Sequence, residues 1–163
     1  EPMKKLIFLF LLMGGINLAA AEQSVTGSPP ILPDPKLTPG VFIADATVDK
    51  ICQKGYTGTV RYVTEAQKNE VFREYGLQRS GEYEVDHLIS LELGGSNDTR
   101  NLWPQSYRGH WNARIKDMLE NRLHYLVCAK VIPLREAQYV ISHNWIESYC
   151  KYVPSVNCKG LEQ

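Results

Sequence analysis

Residues 83–105 read YEVDHLISLELGGSNDTRNLWPQ. An acid and a histidine, Asp86 and His87, stand side by side, and the pairs Gly94-Gly95 and Asn101-Leu102 follow. Tyr83 to Ser90 reads as a strand. Gly94-Gly95 and Ser96-Asn97-Asp98 break it. Asn101 to Trp103 reads as a short returning strand that Pro104 stops. A helix is expected from His110 to Cys128, because Trp111, Ile115, Met118, Leu119, Arg122, Leu123 and Leu126 keep a helical period. The centre of the chain is therefore strand, glycine loop, strand, helix.

Upstream, Thr59 to Val63 alternates and is rich in β-branched residues, so it reads as a further strand. Thr64 with Gln67 three residues on has the form of a capping box, opening a helix that Gly76 ends. Downstream, Pro133 starts one or two more helices, whose apolar positions are Ala137, Val140, Ile141, Trp145, Ile146 and Tyr149. Trp103 and Trp111 are expected to pack in the core where strand meets helix.

The ends of the chain carry different information. Glu1-Pro2 precede a methionine and read as a cloning scar. Met3-Lys4-Lys5, the apolar run Leu6 to Leu18 and Ala19-Ala20-Ala21 then have the form of a secretory signal peptide, placing the mature start at Glu22. Residues 22–40 include five prolines and read as a stiff linker with nothing to pack. Residues 41–163 are left as one folded domain. The full chain balances 18 basic against 18 acidic residues, and loss of Lys4, Lys5 and Glu1 with residues 1–21 leaves a net charge of −1. A generally basic nucleic-acid-binding surface is excluded, so attraction for phosphate must be local. Residues 100–135 are the basic stretch, with Arg100, Arg108, Arg114, Lys116, Arg122, Lys130 and Arg135 against Asp117 and Glu120. Lys116 and Glu120 have the spacing of a surface ion pair.

The chain has four cysteines, Cys52, Cys128, Cys150 and Cys158, with no C-x-x-C pair that would suggest a zinc knuckle. In an oxidising compartment an even count reads as two disulfides. The favoured pairing is Cys52–Cys128, tying the N-terminal segment to the central helix, with Cys150–Cys158 closing a short C-terminal loop. Periplasmic or secreted localisation follows from the same features.

Hydrolysis of a phosphodiester needs a base for water and a cation to offset charge on the phosphate and the leaving oxygen. A histidine titrates near neutrality and a carboxylate suits a hard cation. Asp86-His87 puts both at one strand end, though an extended strand sends their side chains to opposite faces. A twist or bulge there would be needed for both to meet one phosphate. Asn101 lies 14 residues after His87, and His110 lies 9 residues after Asn101.

Asp-His, Gly-Gly, Asn-Leu and a third polar residue at these spacings resemble the HNH nucleases over residues 83–112. The wider pattern of a cysteine, GYTGTVRYV, YEVDHLISLELGG, NLWPQ and WNARIKDMLE resembles a group of exported bacterial HNH-type proteins over residues 51–150. This resemblance implies an α+β fold with a small ββα-metal core, flanking helices and disulfide staples. It gives His87 the role of general base, Asp86 that of metal ligand, and Asn101 that of tying the loop and orienting the base. The third motif position stays open between His110 and Asn112. An Asp86–Asn112 site would favour Mg²⁺, Mn²⁺ or Ca²⁺, and an Asp86–His110 site would tolerate Zn²⁺ or Ni²⁺. Mg²⁺ is the favoured ion. Arg108 and Arg114 are candidates for holding substrate phosphate. Ser90 departs from the proline that many HNH loops carry at this point.

The function expected is that of an exported metal-dependent endonuclease of low sequence specificity, leaving 5′-phosphate and 3′-hydroxyl ends. DNA is favoured over RNA as its partner. The alternative is an inert ββα scaffold that binds metal or a partner outside the cytoplasm.

Overall fold

The computed structural model describes residues 31–154 and Cys158. The expected signal peptide and residues 22–30 of the expected linker lie outside the described residues. Among the described residues no helix is long and apolar enough to cross a membrane.

Two short helices come first, α1 (Val48–Ile51) and α2 (Tyr56–Val60), followed by α3 (Glu65–Glu74). The strands β1 (Tyr83–His87) and β2 (Leu102–Ser106) form an antiparallel ribbon, and the helices α4 (Ala113–Cys128) and α5 (Leu134–Tyr152) complete the chain. This is an α+β arrangement. Between the strands, residues 88–101 form a loop with two single turns of 3₁₀ helix, Leu91–Leu93 and Thr99–Asn101.

Local chemistry accounts for most of these boundaries. The expected capping box opens α3: the Gln67 N–H donates to Thr64 Oγ1 at 3.2 Å and the Thr64 N–H to Gln67 Oε1 at 3.0 Å. Helix α4 begins at Ala113 rather than His110 because Asn112 caps it, its Oδ1 accepting from the Ile115 N–H at 3.3 Å. Helix α5 follows Pro133 and is kinked at Asn144 (φ −156°, ψ 86°), which divides it into two helical segments.

Three expectations are corrected. Thr59 to Val63 is not a strand: Thr59 and Val60 close α2, and the Asn97 side chain takes the Val60 carbonyl that a neighbouring strand would have used. Pro104 does not stop β2, which runs on to Ser106. The Leu88 N–H donates to the Asn101 carbonyl and the Tyr107 N–H to the Glu82 carbonyl. Alternation between those bonds makes Val85–Pro104 a pair without hydrogen bonds, so the missing proline N–H costs the ribbon nothing. Finally, residues 34–40 are packed on the domain rather than free. The Asp34 N–H donates to the Tyr75 hydroxyl (3.0 Å), and the Gly40 N–H donates to the Arg100 carbonyl (3.1 Å). Thr38 is buried and donates to the Leu102 carbonyl at 2.9 Å, so the Tyr75 hydroxyl at 2.7 Å is the donor to Thr38 Oγ1.

Leu119 and Leu123 of α4 and Ile141 and Trp145 of α5 are buried together with Trp103 of β2 and Leu88, Ile89 and Leu93 of the loop. Trp111 is buried edge-on against Trp145 and Tyr149, both at 6.0 Å between ring centres. Trp103 and Trp111 are thus core residues, as expected. The disulfides are Cys52–Cys128 and Cys150–Cys158, as favoured from the sequence. The first spans 76 residues and pins the end of α1 to the end of α4. Replacing Cys52 and Cys128 with serine should lower stability by about 2–4 kcal/mol. Urea unfolding of the variant measures this, and an unchanged midpoint would show that packing alone holds α1.

Candidate active site

The loop is held from inside by Asn101, which is fully buried (0 % exposed). Its Nδ2 donates to the carbonyls of Ile89 (3.0 Å) and Ser96 (2.9 Å), while Oδ1 accepts from the N–H groups of Ile89 (2.9 Å) and Val41 (3.3 Å). Both ends of one amide are therefore spent on holding the loop closed. The two glycines have separate reasons. Gly94 has φ +76°, and Gly95 leaves room that a Cβ would lose by running into the Ile89 carbonyl oxygen. Ser90 has φ −55°, which a proline would also adopt, and its hydroxyl accepts from the Glu92 N–H at 3.4 Å.

His87 ends β1 and is 4 % exposed. Its Nε2 lies 3.0 Å from Asn97 Oδ1, and Asn97 Nδ2 donates to the Val60 carbonyl at 2.7 Å. A carbonyl only accepts, so the Val60 bond fixes which end of the Asn97 amide faces His87. Oδ1 must accept there, so Nε2 carries the proton and Nδ1 keeps its lone pair. The main-chain carbonyl of Asn97 accepts in turn from Gln67 Nε2 at 2.8 Å. Burial lowers the His87 pKa below its ordinary value and outweighs the opposing effects of Asn97 and Asp86, with the charges of Arg61 and Lys116 acting in the same direction as burial.

Asp86 leaves the opposite face of β1, and pairing runs through both residues without a bulge. It meets Lys116 of α4. Lys116 is fully buried, and its Nζ donates to Asp86 Oδ2 (2.8 Å), to the His87 carbonyl (2.6 Å) and to Glu120 Oε1. The pair Lys116–Glu120 is therefore internal, not a surface pair. Its members fall in the buried stripe Ala113, Lys116, Leu119, Glu120, Leu123 and Val127 of α4. Burial opposes the charge on Lys116, but the two carboxylates more than offset it and its pKa is raised. Burial raises the pKa of Glu120, with the Asp86 charge adding to it and Lys116 opposing.

The ends of the proposed motif fare differently. His87 and Asn101 lie at the ribbon end and its loop, with the middle asparagine tying the loop, but Asp86 leaves the other face of β1 and the bulge that would turn it to the His87 side is absent. The His87 ring, however, is held by Asn97 rather than by Asn101, because both ends of the Asn101 amide are occupied by backbone. Asn112 is spent as a cap, with Nδ2 on the Gly109 carbonyl at 2.8 Å. His110 is exposed and stands edge-on to Trp111 at 4.6 Å. Neither meets Asp86 through any hydrogen bond. Arg108 pairs with Glu82 at 3.0 Å, at the end of the ribbon opposite His87. Arg114 is exposed on the first turn of α4, about 200° around the helix from Lys116.

The basic groups that share a groove with His87 are instead Arg61, Lys68 and Arg79. With Tyr62, Val63, Phe72, Tyr83, Glu84, Val85 and His87 itself they line a half-open groove of 460 Å³. Arg61 escaped sequence reading because it was placed inside a strand. Lys116 was read as a surface charge, and the signal that could have found it is its place in the apolar stripe of α4. Asn97 carried no signal beyond its place in a turn.

A scan of family models, a search of curated proteins and a search of solved structures found no match to this chain.

The fit of a divalent ion is decided by the donors. Lys116 claims Asp86 Oδ2, and no hydrogen bond to Oδ1 is made among the described residues. Burial raises the pKa values of Asp117 and Glu84, and the Asp86 charge adds to both. Carboxylates that repel one another beside an open oxygen suit a hard, hydrated cation such as Mg²⁺, which often takes only one or two protein ligands. They do not suit Zn²⁺, since no histidine or thiolate joins Asp86. Among the described residues, Cys52, His124 and Cys128 do cluster, but those cysteines form a disulfide.

Proposed function

We propose that the chain is an extracytoplasmic HNH-type phosphodiesterase acting on nucleic acid with low sequence specificity. The observation that carries this reading is His87, buried at the end of a strand with Nε2 committed to Asn97 and Nδ1 free to take a proton. A lowered pKa keeps that nitrogen unprotonated at neutral pH. In the proposed reaction His87 Nδ1 takes a proton from water, the water oxygen attacks phosphorus, the bond to the leaving sugar oxygen breaks with its electron pair on that oxygen, and a second water gives this oxygen its proton. Ends bearing 5′-phosphate and 3′-hydroxyl are those that the HNH resemblance implies. Asp86, with Asp117 beside it, would hold Mg²⁺ or Mn²⁺, which supplies positive charge to the phosphate and leaving oxygen when bound, and because Asp86 and His87 leave opposite faces of β1 the phosphate would have to sit across the strand end between them. Lys116 holds Asp86 in place through Oδ2. Arg61 adds a second positive charge on the His87 side. The two disulfides support an oxidising compartment.

The inert-scaffold reading draws support from His110 and Asn112, neither of which reaches Asp86. One assay separates the two: cleavage of plasmid, single-stranded DNA and RNA by the oxidised protein with Mg²⁺, Mn²⁺, Zn²⁺ or EDTA. The oxygen donors predict activity with Mg²⁺ or Mn²⁺, little with Zn²⁺, and loss to background in EDTA. Absence of cutting with every metal, from a folded protein, would leave the scaffold.

A further inference from the structure

The groove beside His87 has features that the expected chemistry does not require. Arg61 lines it and makes no ion pair among the described residues. Lys68 and Arg79, also on its wall, share one carboxylate, Glu65, at 2.7 Å and 2.6 Å. Two cations on one acid leave a positive surplus, and Arg61 adds to it on a chain whose formal net charge is zero. Glu84, the acid among the lining residues, is already engaged by the Tyr107 hydroxyl, which donates to its Oε2 at 2.9 Å. Next to Arg61, Tyr62 also lines the groove with 75 % of its surface exposed, an aromatic ring held out of the core.

Size decides what such a groove can take. A space of 460 Å³ is at the small-molecule end of binding sites and fits a single nucleotide, not the width of a duplex. Basic groups for the backbone beside an exposed aromatic ring are the combination by which proteins hold unpaired bases. We propose that this groove seats one unpaired nucleotide next to the scissile phosphate, with its phosphate on Arg61 and its base stacked on Tyr62. The proposal rests on the nuclease reading and gives it a substrate preference, single strands over duplex.

Binding tests it apart from cleavage. The His87→Ala protein in EDTA is titrated into a fluorescein-labelled single-stranded DNA 12-mer and into its duplex, with anisotropy as the readout. The single strand should bind more tightly. Tyr62→Ala should weaken binding by about fivefold or more, while Tyr62→Phe retains it. Arg61→Gln should weaken binding and reduce the slope of log K against log salt by about 0.7. Both side chains are exposed, and circular dichroism checks that each variant is folded. Equal binding by Arg61→Gln, Tyr62→Ala and the parent, or preference for the duplex, would overturn the subsite even if the protein cuts. Groove-dependent binding with no cutting by the wild-type protein would uphold the subsite while sinking the hydrolase.

Discussion

Replacement of His87 with alanine should lower the rate of phosphodiester cleavage by about 10²–10⁴-fold, the usual worth of a positioned general base. His87→Gln should be as inactive. Its amide can still donate to Asn97, but it has no nitrogen that takes a proton from water. Retained cleavage in either variant would remove His87 from the reaction. The pH profile gives an independent reading. The base works unprotonated, and burial lowers its pKa from 6.5, so the acid limb of the rate should fall below pH 6.5. Stability should follow the same group. Below pH 6.5 the unfolded chain binds a proton that the folded chain refuses, so stability declines from there down to the lowered pKa. His87→Ala should lack that part of the pH dependence.

Lys116→Met should destabilise the fold by about 3–5 kcal/mol, because removing one partner leaves buried charge uncompensated. The ammonium is the donor to Asp86, the His87 carbonyl and Glu120 at once. Methionine fills most of the volume and satisfies none of them. Against a typical total of about 5–15 kcal/mol, the loss would bring the domain close to unfolding. Urea denaturation is the measurement, and a midpoint equal to the parent's would mean that the two carboxylates find other partners. Glu120→Gln is the companion variant. A folded-state pKa raised above 4.5 gives stability that is fully present below 4.5 and is lost as pH rises through the raised value. Glutamine cannot titrate, so that alkaline loss should disappear.

The centre of the fold was legible because its signals are local. Asp86-His87, the two glycines and Asn101 mark a strand, a tight loop and its tether, and Thr64 with Gln67 announces a helix start. The misreadings arose where distant groups decide. Val60 looked like strand, yet its carbonyl is claimed by Asn97, 37 residues on. Pro104 looked like a stop, yet its position in the ribbon leaves the missing N–H harmless. Thr38 lay in a proline-rich stretch that lacks periodicity, and only Tyr75 and Leu102 give it a place. At the candidate site, Asp86 and His87 were singled out by their adjacency, while Lys116, the cation facing Asp86, was read as a surface charge. Spacing four residues apart identifies a pair but does not say which side of the helix it faces, and only the apolar neighbours Leu119 and Leu123 do.

The 76-residue span between Cys52 and Cys128 encloses Arg61, Asp86, His87, Asn97, Asn101, Lys116 and Glu120. Every residue given a role in the chemistry is thus inside one covalent ring, whose closure needs an oxidant. A compartment that keeps thiols reduced would leave the ring open and the site on a less stable scaffold. Cleavage of that one bond by a reductant is therefore expected to loosen all of these residues together, although they come from a strand, a loop and a helix.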